Sequence, residues 1–295
     1  MKKLWADEYK EVFIRMHMLK PKLLIVLSAF MLAYFPVWKR LAFSWFVSDD
    51  HSHGLLIVPL SLYVLWRKRE VLAKIRVSPS AWGLLLIVFS LLVYLFAHLG
   101  EIVTLASLSM IPLLAGVIIY LHGLPMLKEL LFPLFLLLLM VPVPSQVYSS
   151  LTMPFQLLVS KTGAFIAGVL GIPVYREGNM IHLPDGTMQV VRACSGLRSV
   201  ISLLTLSAIL GYFTLKSNLL RAVLFFSGIP AAFVINVTRV SALVVAFYYL
   251  NYDLTTGRLH TVFGMIIFCI GAVLLIAFKG ILSNWEESVP TKLSS

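Results

Sequence analysis

Several stretches of this chain run almost wholly apolar for close to the ~17–25 residues that a helix needs to cross a bilayer. That pattern constrains the fold more than any other feature. A membrane β-barrel would show short segments of alternating polarity instead. The chain reads as an all-α membrane protein, a polytopic bundle. Composition agrees: of 295 residues, 60% are hydrophobic and 13% charged, whereas soluble domains carry about a quarter charged residues.

About eight transmembrane helices are expected, at Leu23–Trp38, His53–Trp66, Ala81–Leu99, Ile102–Leu121, Leu130–Val143, Leu197–Leu215, Ala222–Leu250 and Thr261–Phe278. The second and fifth are short for a full crossing. The net charge of +11 comes from 24 Lys+Arg against 13 Asp+Glu. Such a balance can signal nucleic-acid binding, but cytoplasmic loops of membrane proteins collect Lys and Arg. With eight spans, Lys2, Lys3, Lys10, Arg15, Lys20, Lys22, Arg67-Lys68-Arg69, Lys74, Arg76, Lys128, Lys216, Arg221, Lys279 and Lys292 fall on one side. That side is read as cytoplasmic, which puts both termini inside. Lys39-Arg40 stand where a signal peptide would carry a small-residue cleavage site, so the first span is read as retained. The whole of 1–295 is expected to form a single integral membrane domain. Within it, 1–22 is a cytoplasmic segment, 144–193 an outer-face loop and 280–295 a cytoplasmic tail.

In the loop 144–193, Leu151, Phe155, Leu158, Phe165 and Val169 recur at helical spacing and are interrupted by Ser160, Lys161 and Thr162. This pattern predicts an amphipathic helix lying in the outer interface. Val174–His182 and Thr187–Val191 flank Pro184-Asp185-Gly186. That tripeptide offers a fixed φ, a local side-chain acceptor and a residue free to take φ > 0, so a short β-hairpin is expected. It would deliver Cys194 to the head of the sixth span.

The chemistry-bearing residues gather downstream. Residues 191–200 read Val-Arg-Ala-Cys-Ser-Gly-Leu-Arg-Ser-Val, and Cys194 is one of two cysteines. A thiol at a helix N-terminus is favoured as thiolate by the orphan amides and the dipole. Arg198, one turn along, adds positive charge. Ser195 and Gly196 complete the approach, Gly196 leaving room for a substrate backbone. Arg239 lies about eleven residues before the end of its span, roughly 16 Å deep. A guanidinium at that depth is costly unless it is used. Asn236 shares its helix face, and the guanidinium would suit a developing oxyanion. His260 opens the last span, where a neutral imidazole could take the thiol proton and later protonate a leaving amine. Gly264, one turn below, would let a neighbouring helix approach. Cys269 lies deeper and is expected to be core packing, not a disulfide partner of Cys194. His51, His53 and His182 match no zinc-ligand spacing. Asp49-Asp50-His51-Ser52-His53-Gly54 is expected to cap the second span, with His53 helping to shape the pocket. No metal and no cofactor is expected.

Together, "ACSGLRS" at Cys194, "NVTR" at Arg239 and "HTVFG" at His260 resemble the exosortase/archaeosortase family of multi-pass membrane cysteine transpeptidases. "SHGLLIVPLSLYVLWRKR" and "GIPVYREGNMIHL" resemble it too, and the likeness runs from about residue 50 to 268. The resemblance implies a protein of the bacterial cytoplasmic (inner) membrane that acts at its outer face. It implies processing of exported proteins bearing a C-terminal Pro-Glu-Pro-like motif, a transmembrane helix and a basic tail, in settings often tied to exopolysaccharide. It carries the family's cysteine, arginine and histidine onto Cys194, Arg239 and His260. Many members have a further soluble C-terminal domain, and here little follows Lys279.

Under this reading Cys194 forms a thioacyl intermediate that water or an amine resolves. The partners are the tailed substrate proteins and membrane lipid, not nucleic acid. Two other readings compete: a transporter, and a non-catalytic assembly factor for envelope polysaccharide. Coupled carriers usually need intramembrane carboxylates, and none falls in an expected span. No inverted repeat is visible either.

Overall fold

The computed structural model describes residues 24–48, 51–190, 197–250 and 257–288. The chain divides into two compact units, Met1–Pro142 and Val143–Ser295.

The first unit opens with α1 (Leu24–Ala33) and α2 (Phe35–Val47), which meet at Tyr34 with a bend of 67°. Pro36 has no N–H to offer the carbonyl of Leu32, so one helix cannot run through. Then come α3 (Gly54–Arg67), the short α4 (Arg69–Lys74), α5 (Trp82–Leu99), α6 (Val103–Leu108), α7 (Met110–Leu121) and α8 (Leu124–Leu139). Helices α5 and α7 approach at backbone distance. A Cβ on Gly83 would sit 2.6 Å from the carbonyl oxygen of Gly116, the small-residue contact expected where helices pack without a hydrophobic drive. Helices α3 and α8 lie antiparallel, joined at three levels. His53 Nε2 meets the Leu139 carbonyl at 3.2 Å, Ser61 Oγ donates to the Pro133 carbonyl at 3.4 Å, and Lys68 Nζ reaches Glu129. The last tie follows from sequence. Pro133 lacks the N–H that would close the turn on Glu129, and Lys68 Nζ donates to that freed carbonyl at 2.8 Å and to Glu129 Oε2 at 2.7 Å.

In the second unit, α9 (Ser145–Val169) leads into a three-stranded antiparallel sheet, β1 (Tyr175–Glu177), β2 (Met180–Leu183) and β3 (Gly186–Gln189). Helices α10 (Leu197–Thr214), α11 (Asn218–Leu250) and α12 (Gly257–Ser288) follow. The sheet is a meander: Ile181 pairs with Arg176 on one side and Met188 on the other. Alternation directs Ile181, Leu183, Met188 and Val190 inward onto Val159 and Ala167 of α9 and Val240 and Val244 of α11. The Pro184-Asp185-Gly186 turn joins β2 to β3, but Gly186 is an ordinary strand residue against Phe247. The left-handed glycine is Gly178 (φ 61°), in the β1–β2 turn that the sequence reading did not separate from its first strand.

Helices α10 and α12 both run antiparallel to α11. Gly228 faces Leu203 and Leu204, while Leu215, Leu220, Leu224 and Leu282 form one cluster at the opposite end. There the Glu286 carboxylate accepts from the backbone N–H groups of Lys216 and Ser217, supplying acceptors just before α11 begins.

Segment 147–170 departs from expectation. It packs lengthwise on α11, pointing the same way. Phe155 meets Phe233 (ring centroids 5.9 Å apart), Gly163 abuts Val240, and Tyr249 Oη donates to the Leu170 carbonyl at 3.2 Å. A helix crossing α11 steeply would touch it over about one turn. Leu151, Leu158 and Val169 of the expected apolar stripe are exposed, but the polar face is not turned to water. Thr152, Gln156 and Ser160 are instead buried against protein, and Phe165 is 71% exposed. Polar inside and apolar outside is the reverse of a water-borne amphipathic helix.

Among the described residues, four helices are long and apolar enough to cross a membrane: Trp82–Leu99, Val103–Leu121, Asn218–Leu250 and Leu259–Ser288. Counting the bent α1–α2 pair as one span makes five. Of the eight expected spans, those at α3 and α10 are shorter apolar helices, Gly54–Arg67 and Arg198–Thr214. Trp82, Leu85, Phe89, Phe96 and Leu99 of α5 all face outward. In water such a surface would be a liability, whereas in lipid it is solvated. The protein is a multi-pass, mainly helical membrane protein.

Candidate active site

Antiparallel packing places the N-terminal ends of α10 and α12 beside the C-terminal half of α11. That is where two of the three chemistry-bearing residues meet. Arg239 on α11 and His260 on the first turns of α12 are both half-buried, and Arg239 Nη2 lies 2.8 Å from His260 Nε2. A guanidinium does not deprotonate in proteins and can only donate. The arginine is therefore the donor, and Nε2 is the bare nitrogen of the imidazole.

Gly264 explains how the guanidinium fits. A Cβ there would stand 2.9 Å from Arg239 Nη2, 3.1 Å from Cζ and 3.3 Å from Nη1. All three distances are short, so the glycine leaves a flat seat for the guanidinium. The sequence reading gave Gly264 the looser task of admitting a neighbouring helix; what it admits is the end of one side chain. Deeper on α12, Gly271 abuts Ile235 of α11 and Leu203 of α10.

Asn236 is 2% exposed, one turn before Arg239, and its amide nitrogen donates along its own helix to the Ala232 carbonyl at 2.7 Å. Arg198 stands half-buried on the first turn of α10. Cys194, Ser195 and Gly196 lie outside the described residues. Cys269 is exposed on α12, not packed into the core as expected, because its helix turns that face outward with Met265, Ile266 and Ile270. His53 belongs to the first unit, at the α3–α8 tie. His182 lies on β2, with Nδ1 2.9 Å from Thr187 Oγ1 and its ring against Tyr175.

One residue in this region escaped the sequence reading. Asn179 holds Val190, just before the Cys194 segment, by two bonds. Its backbone carbonyl accepts from the Val190 N–H at 2.9 Å, and its side-chain amide donates to the Val190 carbonyl at 3.3 Å. The Gly178-Asn179 pair carried a turn signal, but nothing in the sequence shows which distant backbone the amide clamps.

The stretch from Trp45 to Ala277 matches the family model of the transmembrane exosortases (Exosortase_EpsH), residues 45–277. The chain belongs to that family. No curated protein and no solved structure matches it. In this exosortase the matched stretch includes the Ser-His-Gly segment that leads into α3, all of α10 and α11, and the part of α12 that carries His260 and Gly264. Membership suggests a membrane transpeptidase acting on exported proteins.

Proposed function

We propose that this exosortase is a cysteine peptidase or transpeptidase in which Cys194 is the nucleophile, His260 the general base and acid, and Arg239 the oxyanion stabiliser. The observation that carries the reading is the Arg239–His260 contact of 2.8 Å. In a family whose chemistry needs a nucleophile, these side chains stand at the end of the bundle where the Cys194 segment joins α10.

The substrate is an exported protein with a C-terminal Pro-Glu-Pro-type signal, a transmembrane helix and a basic tail. Its own helix enters the membrane beside the second unit and leaves the motif at the outer mouth. The outward-facing orientation is supported by charge. Lys279 lies roughly 28 Å further along α12 than His260, close to the thickness of a bilayer core. Lys216 and Arg221 cluster at that same far end, which fits a cytoplasmic loop of the bacterial inner membrane.

Cys194 passes its proton to His260 and its sulfur attacks the scissile carbonyl carbon. The carbonyl π pair moves onto oxygen, where Arg239 donates to it. Collapse expels the amine, which takes the proton from His260 and leaves a thioester. Water or an acceptor amine then attacks the thioester and restores the thiol.

The test is co-expression with a tagged protein ending in such a signal, following its size with wild type, Cys194→Ala and Cys269→Ala. Loss of processing with Cys194→Ala alone, and a trapped thioester, are expected. Processing that survives Cys194→Ala overturns the reading.

A further inference from the structure

The proton arithmetic of the Arg239–His260 contact has a consequence for when the reaction can begin. A neutral imidazole has one bare nitrogen and one N–H. Since Arg239 can only donate, the 2.8 Å contact occupies the bare nitrogen, Nε2, and leaves the hydrogen on Nδ1. In this state neither ring nitrogen can take a proton from a thiol. The base is present but covered by the residue assigned to the oxyanion.

We propose that Arg239 latches His260 in the substrate-free protein and uncovers Nε2 only when a substrate carbonyl oxygen draws the guanidinium away. This inference rests on the cysteine-peptidase reading above. Two features support the exchange. A carbonyl oxygen competes for the same N–H donors, more strongly as it gains charge. Gly264 presents no side chain beneath Nη2, Cζ and Nη1, so the guanidinium can slide across it without meeting a Cβ.

The sequence of events then balances. Arg239 Nη2–H leaves His260 Nε2 and donates to the carbonyl oxygen. Nε2 accepts the Cys194 proton, giving imidazolium and thiolate. The C–S bond forms as the carbonyl π pair moves onto oxygen. One side chain thus serves two acceptors in turn, and thiolate is not generated until a carbonyl is in place. A thiol facing an oxidising compartment gains from that order, because the thiolate is the oxidisable form.

The test uses the full-length protein in lipid nanodiscs. With ¹⁵N-labelled histidine, and His260→Asn to assign the signal, the His260 nitrogens report their protons directly. The expected result is N–H at Nδ1 and a bare, hydrogen-bonded Nε2; a protonated Nε2 in the substrate-free wild type overturns the latch. A second readout is alkylation of Cys194 by iodoacetamide in a Cys269→Ser background. With Arg239 present, His260→Asn is expected to change the rate by less than about twofold, and with Arg239→Met it should slow alkylation by about fivefold or more. Equal slowing in both backgrounds, or none in either, overturns the latch. If Arg239→Met does not fold, the wild-type nitrogen signals still decide. Processing by Cys194→Ala separately decides the cysteine-peptidase reading, since the imidazole signals do not depend on activity.

Discussion

The two units each use a histidine near the start of a helix, and the same ring nitrogen carries opposite chemistry in them. In the first unit His53 Nε2 faces the Leu139 carbonyl. A carbonyl only accepts, so this nitrogen holds a hydrogen and is spent as a donor on backbone. In the second unit His260 Nε2 faces the Arg239 guanidinium. A guanidinium only donates, so this nitrogen carries no hydrogen and accepts. Identical side chains become a helix tie or a candidate base according to what stands opposite them. The comparison also separates packing from chemistry. Around α3 and α8 the polar side chains of His53, Ser61 and Lys68 each reach a backbone carbonyl. Arg239 and His260 are directed at each other.

The comparison breaks most decisively at His260. Replacing it by alanine removes proton transfer, which contributes about 10²–10⁴-fold in enzymes. Turnover of a tailed substrate by purified His260→Ala should fall by that order while the melting temperature in detergent stays near wild type. If His260→Ala processes substrate at the wild-type rate, the imidazole is no base and the contrast with His53 disappears.

Next in size is Gly264→Ala. The new methyl would stand 2.9 Å from Arg239 Nη2, so the guanidinium must shift by a few tenths of an ångström or more. Misplacement of about 1 Å in such a site can cost 10²-fold, and a smaller shift should cost about tenfold in kcat with little change in KM. A fall in stability with unchanged kcat in the folded fraction would make Gly264 a packing residue only.

His53→Ala should show the opposite signature. It leaves a carbonyl at the α3–α8 junction without its donor, at about 1–2 kcal/mol of stability. The folded fraction should keep its turnover, and His53→Gln, which retains a donor, should recover part of the loss in thermal unfolding. A turnover defect in fully folded His53→Ala would make it a second functional histidine and blur the distinction between the units.

How far the sequence foretold this depends on the kind of signal. Helix class and membrane residence were legible from the long apolar runs, and Arg239 and His260 stood out because a deep arginine and a helix-opening histidine are each costly, but their direct contact was not legible. The family's motifs lie in the stretch that its model matches. The placement of α9 was not legible. Its apolar stripe is equally consistent with lipid at an interface and lipid beside a bundle, and only the burial of Thr152, Gln156 and Ser160 against protein separates the two. The count of spans was similarly ambiguous, since hydropathy does not say where Pro36 bends a helix or where a short helix stops. Asn179 was invisible for another reason. A clamp on Val190, eleven residues away in sequence, depends on strand register, and register becomes known only when the strands pair.

The smallest effect belongs to a third histidine. His182 stands on β2 with one face against Tyr175 and Nδ1 bonded to the Thr187 hydroxyl. A hydroxyl both donates and accepts, so unlike the carbonyl at His53 and the guanidinium at His260 it dictates no proton position. A charged neighbour, Glu177 Oε2, is 3.9 Å away on a side chain 77% exposed, where ion pairs contribute little. His182→Ala should change stability by less than about 0.5 kcal/mol and turnover by less than about twofold, both measured on the purified protein. Large loss of turnover here would place the sheet face, not only the α11–α12 contact, in the chemistry. An imidazole's role in this protein would then not follow from its hydrogen-bond partner alone.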